Sequence, residues 1–163
     1  MTSRLRFGIL TASDRSARGE REDLTGPALS ALVRTRDWSV VKQAILPDDR
    51  LALAGTLSAW SDSGEVDVIL VTGGTGFAPR DVTPEATRDV IEREAPGLVE
   101  AMRAASLVKT PYGMLSRSAA GIRGRTLIIN LPGSPQGALE NFQVVLPALE
   151  HAVNLLREEG AGH

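Results

Sequence analysis

The sequence contains no cysteine and only two histidines among its 163 residues. The absence of cysteine excludes disulfides, thiolate zinc sites and cysteine nucleophiles. Both histidines, His151 and His163, lie in the C-terminal region, so the chain has no histidine cluster for a transition metal and a histidine general base is not expected. Any chemistry therefore depends on carboxylates, hydroxyls, arginines and backbone amides.

The sequence also lacks strong net charge and long apolar runs. Its formal net charge of -2 predicts no global attraction to nucleic acid or to an anionic membrane, so an anion site must be local. No apolar run reaches membrane-spanning length, and the first residues lack signal-peptide architecture. With 42% hydrophobic residues, the chain is expected to form one domain over residues 1–163, in the cytoplasm, without nucleic-acid or membrane partners.

Apolar runs that alternate with helical patterns predict an α/β domain with a mainly parallel sheet. A polar surface loop is expected after the first strand, through Asp23, and an irregular stretch over residues 111–125. Pro147 is expected to bend or divide the last helix, and the C-terminal Gly160 to His163 to be frayed. The strands are predicted at Leu5 to Thr11, Trp38 to Leu46, Val66 to Val71 and Thr126 to Leu131. Helices are predicted at Thr25, after Asp48-Asp49, either of which could cap the helix, at Pro84 to about Glu94, after Pro96 and through Leu139 to Leu156.

A glycine-rich turn follows the third predicted strand. Gly73, Gly74 and Gly76 lack Cβ atoms, so this backbone can adopt positive φ and bring its N–H groups close to a polyanion. The turn leaves Arg80 and Asp81 at the carboxyl end of the strand, where open α/β sheets bind ligands, and Thr83 is predicted to cap the next helix. A GGTG segment alone is equally expected as a tight turn, and it matches neither the P-loop nor the dinucleotide-binding fingerprint.

Four segments of the sequence carry a family resemblance: GGTGFAPRDVTPEAT (73–87), VIEREAPG (90–97), LSRSAAGIRG (115–124) and TLIINLPGS (126–134). Together they resemble the molybdopterin adenylyltransferase family of the MogA/MoaB type, and most closely the G domain of gephyrin and its plant counterpart. The resemblance implies a three-layer α/β fold with a mixed sheet, a homotrimer, and a Mg²⁺-dependent enzyme. Such an enzyme adenylylates molybdopterin with ATP, releases pyrophosphate and passes its product to a molybdenum-insertion protein. The alternative is a non-catalytic member that binds or carries molybdopterin.

The resemblance assigns catalysis and metal binding to Asp48 and Asp81. Two carboxylates at strand ends can position Mg²⁺ against a triphosphate, which makes this assignment chemically plausible. Judged without the family, Asp48 is also expected as a helix cap and Asp81 as a turn-forming residue.

The resemblance also divides the remaining candidates between two ligands. Judged without the family, residues of the nucleotide group are also expected simply as turn residues where a strand passes into a loop. Surface serines are also expected to be only solvent-exposed, and so are Arg80, Arg117 and Arg123, which are candidate phosphate partners. The nucleotide group is Ser13, Asp14, Gly73, Gly74, Gly76, Asn130, Pro132, Gly133 and Ser134, and the pterin group is Thr75, Arg80, Ser106 and Ser116.

Overall fold

The computed structural model describes residues 4–158, which form one six-stranded sheet with helices on both faces. The strands are β1 (Arg6–Ala12), β2 (Ser39–Leu46), β3 (Val68–Thr72), β4 (Arg93–Glu94), β5 (Ala120–Arg123) and β6 (Thr126–Leu131). The helices are α1 (Asp14–Ala17), α2 (Thr25–Thr35), α3 (Arg50–Asp62), α4 (Thr83–Val90), α5 (Pro96–Lys109) and α6 (Pro135–Leu156), with a 3₁₀ helix at Pro111–Leu115.

The sheet is mixed but mainly parallel, as predicted. Its strand order is β2-β1-β3-β6-β5-β4, in which β5 is antiparallel to both of its neighbours and the other pairs are parallel. Successive residues of β3 alternate between two buried clusters, with Leu70 facing α2, α5 and α6 and Val71 facing α3 and α4. This alternation follows from the twofold side-chain period of a strand, and it makes the domain three-layered.

Parallel pairing brings the functional candidates to one edge of the sheet. Because β1, β2, β3 and β6 run in the same direction, the loops that follow them meet at the carboxyl edge. The opposite edge holds an ion-pair cluster in which Arg6 and Arg157 both contact the buried carboxylate of Asp67. Within residues 4–158, no helix is both long and apolar enough to cross a membrane.

Three local predictions were wrong. The predicted surface loop contains α1, which Ser13 caps by accepting a hydrogen bond from the Ser16 amide at 3.1 Å. Thr83 is not a cap: its amide donates to the Gly74 carbonyl at 3.1 Å, and it is the first residue of α4. Helix α4 ends at Val90 instead of near Glu94, because residues 93–94 pair with β5 as strand β4.

Helix α6 was predicted to bend or divide at Pro147, but it runs undivided from Pro135 to Leu156. Its buried face includes Phe142 and Leu146 before the proline and Leu149 and Val153 around the following turns. Packing on both sides of Pro147 therefore holds the helix together despite the missing N–H group. The predicted fraying of Gly160 to His163 concerns residues outside the described part of the chain.

Candidate active site

Two adjoining cavities lie at the carboxyl edge of the sheet. The smaller, of about 380 Å³, is lined by the loops that follow β1, β2, β3 and β6. The larger, of about 500 Å³, lies between the glycine turn, α5, the 3₁₀ helix and the start of α6. Ser134 lines both cavities, so the Pro132–Ser134 loop forms the wall between them.

Asp48 lines the smaller cavity instead of capping a helix. The cap of α3 is Asp49, whose carboxylate accepts a hydrogen bond from the Ala52 amide at 3.0 Å. Asp48 Oδ2 accepts from the Asp14 amide at 3.0 Å, and the Asp48 amide donates to Asp14 Oδ1 at 3.0 Å. These reciprocal bonds fix the Asp48 carboxylate at the end of β1.

The other oxygen of Asp48 is left without a partner. Oδ1 is buried and accepts no hydrogen bond. Burial, together with the negative charges of Asp14 and Asp81, raises the pKa of Asp48 above its usual value. A buried, unpartnered carboxylate oxygen is costly unless a cation or donor occupies the adjoining space. Asp48 Oδ1 therefore fits a divalent cation.

Asp81 lines the same cavity from the loop after the glycine turn. Its Oδ2 accepts from the Ala78 amide at 3.0 Å. The described residues contain no cluster of three or more acidic, histidine or cysteine ligands. Asp48 and Asp81 nevertheless fit Mg²⁺, because this ion is commonly held by one or two carboxylates with substrate phosphates completing its shell.

The glycine turn leaves no room for side chains. Gly73 has φ +99° and Gly74 has φ +68°, as predicted for a turn that needs glycine, whereas Gly76 is not in this region. A Cβ atom at Gly74 would lie 2.5 Å from Thr83 Oγ1 and 3.1 Å from Asp48 Oδ1. One at Gly76 would lie 3.0 Å from Asp81 Oδ2. The absent side chains thus open the space in front of both carboxylates.

Arg117 holds this loop in place. Its guanidinium donates to the Gly76 carbonyl at 2.7 Å and to the Asp81 carbonyl at 2.8 Å, and it forms an ion pair with Glu85 at 2.7 Å. Because these bonds occupy its donors, the structure does not support Arg117 as a phosphate partner. Arg123 is also committed elsewhere, to the Asp62 carboxylate and the Val90 carbonyl.

Most of the predicted nucleotide group lies around the smaller cavity. Ser13, Gly73, Gly74, Gly133 and Ser134 line it. Asp14 adjoins it through its bonds to Asp48. Gly76 and Pro132 line the larger cavity instead, because they lie on the other side of the glycine turn and of the dividing wall.

Asn130 does not reach either cavity. Its fully buried side chain accepts from the Ala119 amide at 3.0 Å and donates to Thr87 Oγ1 at 2.8 Å. These bonds join β6 to the entry of β5 and to α4. The nucleotide contact predicted for Asn130 is therefore replaced by a structural role inside the sheet.

The predicted pterin residues Thr75, Ser106 and Ser116 line the larger cavity, but Arg80 does not. Arg80 Nε and Nη2 donate to the Asp14 carboxylate at 2.9 and 2.8 Å, so Arg80 lies beside Asp14 and away from the larger cavity. This pairing also lowers the pKa of Asp14.

Phe77, Tyr112 and Arg21 are among the cavity-lining residues that sequence reasoning missed. Phe77 and Tyr112 line the larger cavity while remaining 67% and 76% exposed, and Arg21 is the one basic side chain among the described residues lining the smaller one. Aromatic residues make up 4% of the chain, and Tyr112 is its single tyrosine. Their rarity was a usable signal, since large rigid rings are frequent in ligand sites.

The fold is an α/β sheet covered by helices on both faces. Its carboxyl edge has two adjoining cavities, a glycine turn and two carboxylates, which are the features of a ligand-binding α/β domain. Residues 8–151 match the family model described as the probable molybdopterin binding domain, and the chain belongs to that family. The resemblance found in the sequence is thereby confirmed.

Similar proteins agree with this membership. The chain is 45% identical to the molybdenum cofactor synthesis protein cinnamon of Drosophila melanogaster over 94% of its own length, but it spans only 26% of that protein. It is 40% identical to a molybdopterin adenylyltransferase of Helicobacter pylori, covering 93% of this chain and 88% of the relative. The crystal structure of the molybdopterin biosynthesis enzyme MoaB from Thermus thermophilus has a TM-score of 0.89, with 49% identity over 95% of this chain and 98% of that one.

Proposed function

We propose that the protein is a molybdopterin adenylyltransferase, which transfers the adenylyl group of ATP to the terminal phosphate of molybdopterin. The observation that carries this proposal is the pair of cavities that share one wall, with the unpartnered Asp48 oxygen buried beside the glycine turn in the smaller one. The name and near-complete coverage of the Helicobacter pylori relative support the same reaction.

The nucleotide would occupy the smaller cavity and the pterin the larger one. A phosphate oxygen of molybdopterin would attack the α-phosphorus of ATP, forming one P–O bond while the bond to pyrophosphate breaks. The attacking group is already an anion, so no strong general base is required. This suits a site whose lining, within residues 4–158, contains carboxylates, hydroxyls and amides but no histidine.

The chain's own groups would act mainly by positioning and by charge neutralisation. Asp48 and Asp81 would hold Mg²⁺, which neutralises triphosphate charge when bound. The Gly74 amide and Arg21 are the groups beside the smaller cavity suited to phosphate oxygens. Thr75, Ser106 and Ser116 would hydrogen-bond polar atoms of the pterin in the larger cavity.

A protein that binds or carries molybdopterin without turnover is the alternative within this family. The structure favours the enzyme, because a carrier has no need for a buried, unpaired carboxylate oxygen next to a second cavity. By the same family argument we propose a homotrimer that delivers its product to a molybdenum-insertion protein.

The decisive experiment incubates purified protein with ATP, Mg²⁺ and molybdopterin and measures adenylylated pterin and pyrophosphate. The enzyme forms both in equal amounts. Binding of molybdopterin without either product would identify a carrier and refute the transferase.

A further inference from the structure

Three successive carbonyls are held by hydrogen bonds where β6 passes into the wall between the two cavities: those of Leu131, Pro132 and Gly133. The Leu131 carbonyl accepts from the Gly73 amide at 3.1 Å. The Pro132 carbonyl accepts from Thr72 Oγ1 at 2.6 Å, and the Gly133 carbonyl accepts from Thr25 Oγ1 at 2.8 Å. Two of the three donors are thus threonine hydroxyls, one at the end of β3 and one at the start of α2.

Both threonines are themselves firmly held. Thr72 is fully buried and Thr25 is 4% exposed. The Thr25 amide donates to Asp23 Oδ1 at 3.1 Å, while Asp23 Oδ2 accepts from Thr11 Oγ1 at 2.8 Å. The wall is therefore tied to β1, β3 and α2 through short side-chain contacts.

The wall also has little freedom to compensate for a lost bond. A Cβ atom at Gly133 would lie 3.2 Å from the Gly73 Cα, so the two backbones are already in close contact. If a carbonyl of this loop turned into either cavity, its negative end would face a phosphate group and repel it. Thr25 and Thr72 line the smaller cavity, and their hydroxyls oppose that rotation by occupying the Gly133 and Pro132 carbonyl oxygens.

We propose that Thr25 and Thr72 are positioning residues, which hold the Pro132 and Gly133 carbonyls out of the cavities and thereby keep the bound nucleotide and pterin phosphates aligned. The alignment of two substrates rests on the proposed transferase function. The hold on the loop is a property of the chain alone and can be measured separately.

The test compares Thr25→Val and Thr72→Val with the conservative Thr25→Ser and Thr72→Ser. Valine has the shape of threonine without the hydroxyl, whereas serine keeps the hydroxyl. Thr126→Val is the matched control, because Thr126 is also buried and donates to a backbone carbonyl, that of Val66, at 2.9 Å. Thr126 begins β6, at the end of the strand remote from the wall.

We expect each valine variant at the wall to lower kcat/KM by about tenfold to a hundredfold, through kcat and not through the KM for ATP alone. The serine variants should recover most of the activity, and Thr126→Val should keep wild-type kinetics. Equal losses in all three valine variants would overturn the proposal. So would a change confined to the KM for ATP, which is the behaviour of a hydroxyl that merely contacts the nucleotide.

Amide hydrogen exchange tests the hold on the loop without substrates. In Thr25→Val and Thr72→Val, exchange over residues 133–137 should accelerate by about tenfold, with no such change in Thr126→Val. Unchanged exchange would overturn the proposal even if activity fell. If exchange accelerates while the wild-type protein forms no adenylylated pterin, the transferase function and the alignment of its two substrates fail, whereas the hold of Thr25 and Thr72 on the loop stands.

Discussion

At the scale of single residues, Asp48 occupies a position that costs stability. Its pKa is raised above the ordinary value of 3.8 by burial and by neighbouring acids. A carboxyl whose pKa is raised on folding binds its proton more tightly in the folded state. The free energy of unfolding therefore falls as pH rises from the ordinary value through the raised one, and at neutral pH the charged Asp48 opposes folding. Residues that oppose folding in a cavity are candidates for function.

We predict that Asp48→Asn unfolds at a temperature equal to or above that of wild type, while adenylyl transfer falls by about a hundredfold or more. The change removes the buried charge but keeps the shape of the side chain. The folded state should therefore become more stable, while the rate of adenylyl transfer should fall. Asp49→Asn is the control: asparagine caps helices as well as aspartate does, so its stability and activity should stay near wild type. An active Asp48→Asn enzyme would contradict the proposed metal-binding role.

The roles of the two neighbouring aspartates, Asp48 and Asp49, could not be told apart from the sequence. Pro47-Asp48-Asp49 predicts one helix cap without saying which acid supplies it. The structure assigns the cap to Asp49, and the bonds from Asp14 hold Asp48 in the cavity. Asp14 is 34 residues away, so this selection depends on a contact that no local pattern contains. Asn130 was misplaced for the same reason, since its partners belong to β5 and α4.

At the scale of elements, the glycine turn combines two separate requirements. Gly74 needs positive φ, and it also needs the space that a Cβ would take from Thr83 and Asp48. Gly19 has a similar φ of +73° but nothing within 4 Å of its Cβ position. The comparison of these two glycines separates backbone strain from steric conflict.

We predict that Gly19→Ala lowers the free energy of unfolding by about 1 kcal/mol and leaves transfer activity intact. Gly74→Ala carries the same strain plus the clash, so it should be more destabilising and should also weaken ATP binding. Denaturant unfolding and calorimetric titration with ATP measure the two effects. Equal ATP affinity in a folded Gly74→Ala protein would reduce the glycine turn to a structural feature.

The sequence predicted best those strands that a local run of apolar residues determines. The four apolar runs became the parallel strands β1, β2, β3 and β6. Strands β1, β3 and β6 are buried on both faces and are therefore nearly continuous in apolar residues, whereas β2 lies at the end of the sheet and alternates between partly buried and exposed residues. Strand β4 was missed, and β5 lies in the stretch that was predicted to be irregular with at most a short extended segment. Strand β4 has two residues, both exposed, and exists through its pairing with β5. Short edge strands of this kind depend on tertiary contacts, which override local preference.

At the scale of the whole molecule, the candidate site and a stabilising ion-pair cluster lie at opposite edges of the sheet. The cavities lie at the carboxyl edge, whereas Asp67 lies at the other edge with a side chain that is 4% exposed. Burial opposes its charge, but hydrogen bonds from Arg6 and Arg157 outweigh burial and lower its pKa below 3.8. The stability from this cluster is therefore present above the ordinary value and is lost as pH falls through the lowered one.

We predict that Asp67→Asn lowers the free energy of unfolding by about 3 kcal/mol at neutral pH without changing kcat, because it leaves two arginines without their buried counter-charge far from the cavities. Urea unfolding at neutral pH and near pH 3 measures the effect. The difference in free energy of unfolding between variant and wild type should be smaller at the acidic pH. A loss of activity at a temperature where the variant is fully folded would show that the two edges are coupled.

The last prediction concerns assembly. The family resemblance predicts a homotrimer, and closed cyclic symmetry is usual for soluble homo-oligomers. Within one chain, Asp48, Asp81 and both glycines with positive φ in the turn already line the same cavity. Each subunit should therefore carry its own catalytic carboxylates, and association should stabilise the fold without completing that part of the site.

Light scattering should give three times the mass of one chain, and a monomer at working concentration would refute the trimer. Mixed assemblies of Asp48→Asn and Asp81→Asn subunits test the self-contained site. If both carboxylates act within one chain, every subunit in the mixture lacks one of them and no activity returns. If a site takes its carboxylates from two chains, some interfaces combine two intact ones and activity recovers. Mixtures of wild type with the double variant calibrate the assay, since their activity should follow the fraction of wild-type chains.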